Sequence, residues 1–338
     1  MKEIILAVDI MGGDHGPETT IKALDLASKV HPNILFRLFG DKDKAVQELD
    51  KYKDFTKYEI VHTSQEIKSH HAPVDAMRKL KKSSLRLAIN DVNEKRSDGV
   101  VSAGNTGALM AISKFVLKTI PGITRPAIAG IMPTLRGENI ILDLGANVEC
   151  THENLVEFAI MGEIFSKLVL NKNNPKVGLL NVGSEEIKGN TTVKRTFEQL
   201  ENLKLGIDFY GFIEGNDINK GVVDVVVTDG FSGNIALKMA EGVAELILSF
   251  LKKSYNSSFI AKLGYLLSKP ALNRFKARID PRKYNGAIFL GLNGPVVKSH
   301  GGTDAIGFYH SIDLCYKIVK GNLLDQIRNN LNHLNNDK

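Results

Sequence analysis

Short apolar runs rich in β-branched residues alternate with helical stretches along most of this chain, and this alternation strongly constrains the fold. The strand-like runs lie at residues 3–10, 33–40, 58–63, 99–104, 138–145, 176–183, 207–214 and 222–231. Helices are predicted at residues 17–30, 73–96, 105–117, 152–170, 190–202, 233–253, 257–277 and 303–334. Runs that are apolar on both faces are typical of a buried parallel sheet, and the alternation implies layers of helices against that sheet. We therefore predict a three-layer α/β fold with a mostly parallel sheet.

One part of the pattern differs from the rest. Arg136 and Gly137 separate two strand-like runs, which predicts a hairpin and one antiparallel pairing. The sequence has no internal repeat and no Pro- or Ser-rich linker, and its 338 residues are enough for one large α/β domain. We expect a single domain over residues 1–334, from which residues 252–283 project as a basic amphipathic helical segment.

The basic charge of the chain is concentrated in that segment. Residues 252–283 contain nine Lys and Arg residues and one acidic residue, Asp280, whereas the formal charge of the whole chain is only +6. A segment of this kind implies an acidic partner, which could be nucleic acid, anionic lipid or an acidic protein.

The cysteine count and the hydropathy pattern bear on the compartment. Cys150 and Cys315 are the two cysteines, which is too few for a disulfide framework and favours a reducing cytoplasm. The apolar run before Asp9 has five residues, too few for a signal peptide. No run approaches the roughly eighteen apolar residues that a membrane-spanning helix needs. The sequence thus predicts a cytoplasmic protein.

Five glycine-bearing loops follow predicted strands. They occupy residues 11–16, 102–108, 144–150, 181–190 and 229–234, and most of them contain Asn, Asp, Ser or Thr. Any one of these loops is explained by ordinary turn chemistry. Together they predict a shared cleft for an anion or an acyl substrate, since ligands of open α/β sheets bind beyond the carboxyl ends of strands. Gly12, Gly13 and Gly16 in the first loop suggest an anion that rests on backbone N–H groups.

Several kinds of chemistry are excluded by missing motifs. The chain has no P-loop, and the first loop lacks the glycine spacing of a dinucleotide site. The glycines around Ser232 have the wrong spacing for a nucleophile elbow, and no metal-binding motif is present, so we expect no metal and no cofactor. A reaction between an anionic nucleophile and a thioester needs no catalytic triad. It needs fixed donors that position the anion and stabilise the developing oxyanion.

Eight stretches, in order between residues 7 and 302, resemble the PlsX-type phosphate acyltransferases, also called acyl-ACP:phosphate transacylases. They are AVDIMGGDHGP, SAGNTGALMA, GITRPAIAG, LDLGANVEC, GLLNVGSEEIKGN, GFIEGNDI, DVVVTDGFSGNIALK and LGLNGPVVKSHGG. One small departure is Ile10, where alanine is common in the family.

The resemblance implies a fold similar to the isocitrate/isopropylmalate dehydrogenase and phosphotransacetylase group, in a homodimer. It implies transfer of a fatty acyl group from acyl carrier protein to inorganic phosphate, and the acyl phosphate feeds glycerol-3-phosphate acylation in bacterial phospholipid synthesis. The acidic carrier protein then becomes the expected partner of the basic segment, with no role for nucleic acid.

The strand-end loops and the family motifs supply the candidate site residues. Substrate positioning is assigned to Asn105, Asn147 and Asn234, with His15 or His300 as a possible proton donor. Contacts to phosphate or to the thioester are expected from Arg125, Lys188 and Lys298. The other predicted substrate-binding residues are Asp9, Gly12, Gly13, Asp14, Ser102, Thr106, Asn190 and Asp229.

Residues 256–280 predict an amphipathic helix with a break or kink at Pro270. Its first apolar stripe comprises Phe259, Ile260, Leu263, Leu266 and Leu267. Contact with the membrane surface, with a membrane glycerol-3-phosphate acyltransferase or with the carrier protein is predicted for Leu263, Lys269, Arg274 and Lys276. The alternative is that both apolar stripes pack on the core or on a second copy of the chain.

Two other functions remain open at this stage. An NAD-dependent hydroxyacid dehydrogenase on a similar fold would need a pyrophosphate fingerprint and a carboxylate cluster for Mg²⁺, and the sequence has neither. A non-catalytic scaffold would use only the basic helical segment at a membrane surface.

Overall fold

The computed structural model describes residues 2–203 and 206–336. Within them, one sheet contains strands β1 Ile4–Asp9, β2 Ile34–Gly40, β3 Tyr58–His62, β4 Gly99–Ser102, β5 Ala127–Thr134, β6 Gly137–Leu142, β7 Lys176–Leu180, β8 Asp208–Ile213, β9 Val225–Val227, β10 Ala287–Leu290 and β11 Val296–Lys298. The helices are α1 Gly16–Val30, α2 Lys42–Leu49, α3 Pro73–Lys79, α4 Ser84–Asn93, α5 Thr106–Leu117, α6 His152–Val169, α7 Thr191–Glu201, α8 Gly215–Lys220, α9 Gly230–Asn256, α10 Phe259–Arg278, α11 Ala305–Lys320 and α12 Leu323–Asn336. A short 3₁₀ helix lies at Pro281–Tyr284.

The sheet consists of two parallel halves that run in opposite directions. The strand order is β3-β2-β1-β4-β11-β10-β5-β6-β9-β7-β8. The first five strands of this order are mutually parallel, and so are the last four. Between them, β10 pairs antiparallel with β11 and β5, and β5 pairs antiparallel with β6. The carboxyl ends of the two halves therefore lie at opposite edges of the sheet.

Each face of the sheet contributes to its own hydrophobic core. Leu6 and Val8 of β1 pack in one core with α1, α6 and α11, and Ala7 between them packs in the other core with α4 and α5. This alternation follows from the two-residue period of side chains in a strand. The predicted three-layer, mostly parallel fold is confirmed.

Several predicted element boundaries are wrong for identifiable local reasons. The helix predicted at 73–96 is interrupted after Lys79, and Ser83 caps the second part by accepting a hydrogen bond from the Arg86 N–H at 3.3 Å. The helix predicted at 303–334 is interrupted at Asn322, which has a φ of 51°. The strand predicted at 222–231 ends at Val227, because Asp229 caps α9. The strands β10 and β11 and the helices α2 and α8 are short and were not predicted from the sequence.

The helices α9 and α10 contact each other and are here called the arm, which includes residues 252–278 of the basic segment predicted at 252–283. That this segment projects from the domain stays a prediction. The helix α9 has 27 residues, which corresponds to about 40 Å. No residue of α10 is buried, and its predicted apolar stripe is exposed, with Phe259 at 82% and Leu267 at 79%. The helix is not broken at Pro270, because α10 continues through this residue to Arg278, and a kink there stays a prediction.

None of the described helices is both long enough and apolar enough to cross a membrane. The assignment of residues 1–334 to a single domain stays a prediction, although one sheet includes strands from both the amino- and carboxyl-terminal parts of the chain.

Candidate active site

A chain of hydrogen bonds joins the carboxyl ends of β1 and β4. Ser102 donates from Oγ to Oδ2 of Asp9 at 2.8 Å and accepts a hydrogen bond from the Gly104 N–H at 2.9 Å. Asp9 is 2% exposed, and its burial raises the pKa of this carboxyl group. Asp9 and Ser102 therefore fix the relative position of two loops.

Glycines allow the first loop to approach the loops after β4 and β11. A Cβ on Gly12 would lie 2.7 Å from the backbone nitrogen of Gly104, so no larger residue fits there. Gly13 has a φ of +89°, which disfavours L side chains. The next residue, Asp14, donates its backbone N–H to the Gly301 carbonyl at 2.9 Å. Two of the five glycine-bearing loops therefore meet the loop after β11 at one place.

A cavity of about 570 Å³ lies at this meeting point. One side is formed by the three loops, through Met11, Gly13, Asp14, Ala103, Gly104, Asn105, Thr106, Gly107, Lys298 and Gly301. The other side is formed by Glu66, Ile67, Lys68, Ser69 and His70, from the segment between β3 and α3. This segment was missed in the sequence because it contains no glycine. Its position directly after a predicted strand was the signal that could have found it.

Lys298, the last residue of β11, provides a cation to the cavity. Its Nζ donates hydrogen bonds to the Ala103 carbonyl at 3.3 Å and to the carbonyl of Ser299. Burial lowers the pKa of Lys298 to about 8, although the charges of Asp9 and Asp14 act in the opposite direction. The ammonium group is thus partly desolvated, which strengthens its attraction for an anion in the cavity.

Asn105 connects the two sides of the cavity. Its Oδ1 accepts a hydrogen bond from the Ala108 N–H at 2.9 Å and so caps α5. Its Nδ2 donates to the Ser69 carbonyl at 2.8 Å and to the His71 carbonyl at 3.3 Å. In this conformation the Asn105 amide therefore holds the β3–α3 segment against α5.

The two predicted proton donors lie close to the same loops. His15 immediately precedes α1, is exposed and makes no side-chain capping bond. His300 is also exposed, and its Nδ1 accepts a hydrogen bond from the Gly302 N–H at 3.3 Å. Neither histidine is among the residues that line the cavity.

A second group of loops is organised around Asp143, which follows β6. This carboxylate is fully buried and accepts hydrogen bonds from the Ile128 N–H at 2.9 Å and the Asn147 N–H at 2.7 Å. Asn147 donates from Nδ2 to Asp143 and to the Pro126 carbonyl, both within 2.9 Å. Asn234 donates to the Leu144 carbonyl at 3.1 Å. These contacts fix the loop after β6 against β5 and α9.

The remaining predicted site residues also make structural contacts in this second group. Lys188 pairs with Glu185 at 2.8 Å, and Asn190 caps α7. Asp229 caps α9, and Arg125 donates to the Glu149 carbonyl at 3.1 Å.

The expectation that all five loops share one cleft is wrong for a single chain. The loops after β1 and β4 meet the loop after β11, whereas those after β6, β7 and β9 leave the opposite edge because these strands run in the other direction. The structure therefore brings together Asp9, Gly12, Gly13, Asp14, Ser102, Asn105, Thr106 and Lys298. It does not bring Arg125, Asn147, Lys188, Asn190, Asp229 and Asn234 to the same cavity. Their predicted roles in catalysis and binding stay predictions.

Comparison with known proteins identifies the family. A family model described as "Fatty acid synthesis protein" matches residues 4–326. The "Phosphate acyltransferase" of Paramagnetospirillum magneticum is 49% identical over 98% of this chain and 95% of that relative. The "Phosphate acyltransferase" of Rhodospirillum centenum is 51% identical over 97% of this chain and 93% of that relative. The chain belongs to the phosphate acyltransferase family.

Family membership confirms the resemblance found in the sequence motifs and assigns the chain to the transferases of lipid metabolism. Among solved structures, a phosphotransacetylase from Streptococcus pyogenes superimposes with a TM-score of 0.64 at 18% identity and covers 94% of each chain. At this identity the likeness concerns the fold alone, and it confirms the expected similarity to the phosphotransacetylase group.

Proposed function

We propose that the chain transfers a fatty acyl group from acyl carrier protein to inorganic phosphate and releases acyl phosphate. The observation that supports this most directly is the convergence of two positive features on one cavity. These are the Lys298 ammonium and the amino terminus of α5, to which Gly104, Asn105 and Thr106 belong. A helix amino terminus and a partly desolvated lysine together favour a phosphate-sized anion.

In the proposed reaction, phosphate binds between Lys298 and the start of α5. A phosphate oxygen attacks the thioester carbonyl carbon, the carbon–sulfur bond breaks, and the electron pair leaves with sulfur. The proton lost from monohydrogen phosphate ends on the released thiol, so the step is balanced. Because a thiol has a pKa of about 8.5, the leaving group needs little acid assistance.

The developing oxyanion requires donors that are already in place. The N–H groups of Gly12 and Gly13 and the amide of Asn105 are the proposed donors. For Asn105 this role requires release of its present bonds to Ser69 and His71.

The arm is proposed to associate the enzyme peripherally with the cytoplasmic face of the membrane. Its support is the exposed apolar stripe of α10 next to Lys269, Arg274 and Lys276, which are also exposed. A membrane surface, or a glycerol-3-phosphate acyltransferase embedded in it, is a suitable destination because a long-chain acyl phosphate is itself amphipathic.

A homodimer is proposed as the working form. The helix α9 exposes apolar side chains along one stripe, at Ile235, Met239, Val243, Leu246 and Phe250. Such a stripe is suited to a second copy of the chain, which would remove it from water.

The reaction is tested by phosphate-dependent release of carrier-protein thiol from acyl carrier protein. Acyl phosphate is trapped in parallel with hydroxylamine as the hydroxamate. After subtraction of the hydroxamate and thiol that hydroxylamine forms directly from the thioester without enzyme, we expect thiol and hydroxamate in equal amounts, both dependent on phosphate. Thiol release that does not depend on phosphate, or no release, contradicts the proposal.

A further inference from the structure

A second basic surface lies beside the cavity, away from the arm. Residues 66–82 contain five basic residues and two acidic residues. All five basic residues are exposed; they are Lys68, Arg78, Lys79, Lys81 and Lys82, here called the basic rim.

The basic rim is continuous with the cavity wall. Lys68 itself lines the cavity, and α3 begins five residues later. The start of α3 packs against α5 so closely that a Cβ on Gly107 would lie 2.7 Å from Cγ of Pro73. A molecule seated on the rim is therefore next to the wall of the cavity that the β3–α3 segment forms.

The backbone of the rim is held in a defined position. The Lys82 N–H donates to Oε1 of Gln65 at 2.9 Å, and the Lys82 carbonyl accepts a hydrogen bond from Oγ1 of Thr63 at 2.6 Å. The Ser84 N–H donates to the Gln65 carbonyl at 2.9 Å. These bonds tie both ends of the segment together, so the rim presents its charges from a preorganised surface.

Three of the five rim residues have no carboxylate partner among the residues that the structure describes. Lys79 pairs with Asp75 at 3.0 Å and Lys68 with Glu66 at 3.5 Å. For Arg78, Lys81 and Lys82, no carboxylate of residues 2–203 or 206–336 lies within 4.0 Å. An excess of like charge on one surface attracts a partner of opposite charge and increases its association rate.

We infer that the basic rim is the docking surface for the acidic carrier protein that delivers the thioester. This inference rests on the proposed function and adds to it the place where the donor binds. The rim combines its charges with one exposed large apolar residue, Val74, as suits a water-soluble acidic protein. The arm instead exposes a long apolar stripe, as suits a lipid surface.

The test compares two double charge reversals of equal size. Arg78→Glu/Lys81→Glu alters the rim at residues that do not line the cavity. Lys2→Glu/Lys53→Glu is the control, since these exposed lysines precede β1 and β3 and lie at the opposite edge of the sheet. Binding of the unacylated, phosphopantetheinylated carrier protein is measured by fluorescence anisotropy at low salt. The KM is measured with the acyl carrier protein and with an uncharged acyl-pantetheine thioester.

We expect the rim variant to bind the carrier protein at least about tenfold more weakly than the wild type does. Its KM for acyl carrier protein should rise by a similar factor. The kcat of the rim variant with acyl-pantetheine stays within about twofold of the wild type. In the control variant, carrier binding and the KM for acyl carrier protein are both unchanged. Equal carrier binding by the rim variant and the wild type overturns the inference. Stronger weakening by Lys269→Glu/Arg274→Glu than by the rim variant also overturns it and assigns the carrier to the arm. Because the binding measurement needs no turnover, failure of the proposed reaction is recognised separately.

Discussion

Lys298 has a pKa of about 8 because its ammonium group is partly buried at the end of β11. In the proposed reaction only the protonated form attracts phosphate, so binding is present below this pKa and is lost as the pH rises through it. We expect kcat/KM for phosphate to fall above about pH 8 in the wild type. In Lys298→Met it should be about 10- to 100-fold lower at pH 7, since hydrogen bonds to charged groups contribute about 1.5–3 kcal/mol. The decline above pH 8 should then be absent; a variant that keeps this decline excludes Lys298 as its cause.

Asn105 is expected to matter more than either candidate proton donor. Loss of one preorganised oxyanion donor typically costs about a hundredfold or more in kcat, whereas a thiol leaves with little acid assistance. Asn105→Ala should therefore reduce kcat more than His15→Ala or His300→Ala in steady-state assays. Asn105→Ser is the matched control for capping, because serine is a good N-cap residue and limits the loss of helix stability. The reverse order of kcat values, with a histidine variant more damaged, contradicts the assignment.

Cys150 is expected to be dispensable. Burial raises the pKa of its thiol to about 11, so almost no thiolate is present at neutral pH to act as a nucleophile. Cys150→Ser should keep phosphate-dependent thiol release within about threefold of the wild type. A folded but inactive Cys150→Ser protein would instead indicate a covalent acyl-cysteine intermediate.

At the scale of elements, variants in the arm distinguish a role of α10 at the membrane from a role in packing. Leu263 is 50% exposed on α10, and Lys269 and Arg274 flank its apolar stripe. Each Lys or Arg near an anionic membrane contributes about 1 kcal/mol to binding, so Lys269→Glu/Arg274→Glu should reduce co-sedimentation with anionic vesicles by at least tenfold. Leu263→Glu should also reduce it, through loss of apolar burial. Unchanged vesicle binding by both folded variants would assign α10 to structure rather than to the membrane.

At the scale of the whole molecule, the exposed stripe of α9 predicts a dimer. Met239 is 65% exposed and Leu246 is 51% exposed. Sedimentation velocity should give the mass of two chains for the wild type. Met239→Glu/Leu246→Glu should give the mass of one chain at micromolar concentration, because buried unpaired carboxylates are strongly unfavourable at an apolar interface. A monomeric wild type, or a variant that remains dimeric, contradicts this use of α9.

The sequence alone was sufficient for features that depend on near neighbours in the chain. The alternation of short apolar runs with helical stretches indicated most of the strands and helices, and the order of motifs indicated the family. The spacing from Phe259 to Leu267 indicated the exposed stripe of α10. Asp9, Gly12, Ser102 and Lys298 were predicted as substrate-binding residues because they lie in family motifs at strand ends or turns. The structure brings Lys298 to the cavity, and it places Asp9, Gly12 and Ser102 in the contacts that support the cavity.

Only the tertiary structure decided which loops meet, because strand direction depends on pairings between distant parts of the chain. β10 and β5 lie between the two parallel halves and reverse their direction, so Asn147 and Asn234 follow strands that end at the other edge of the sheet. Packing between segments that are distant in sequence also places Ser69 against Asn105 and buries Lys298 enough to lower its pKa. A desolvation penalty depends on all the groups that surround a side chain. The neighbours of Lys298 include Asp9 at the end of β1 and Ala103 after β4, up to 289 positions away in sequence.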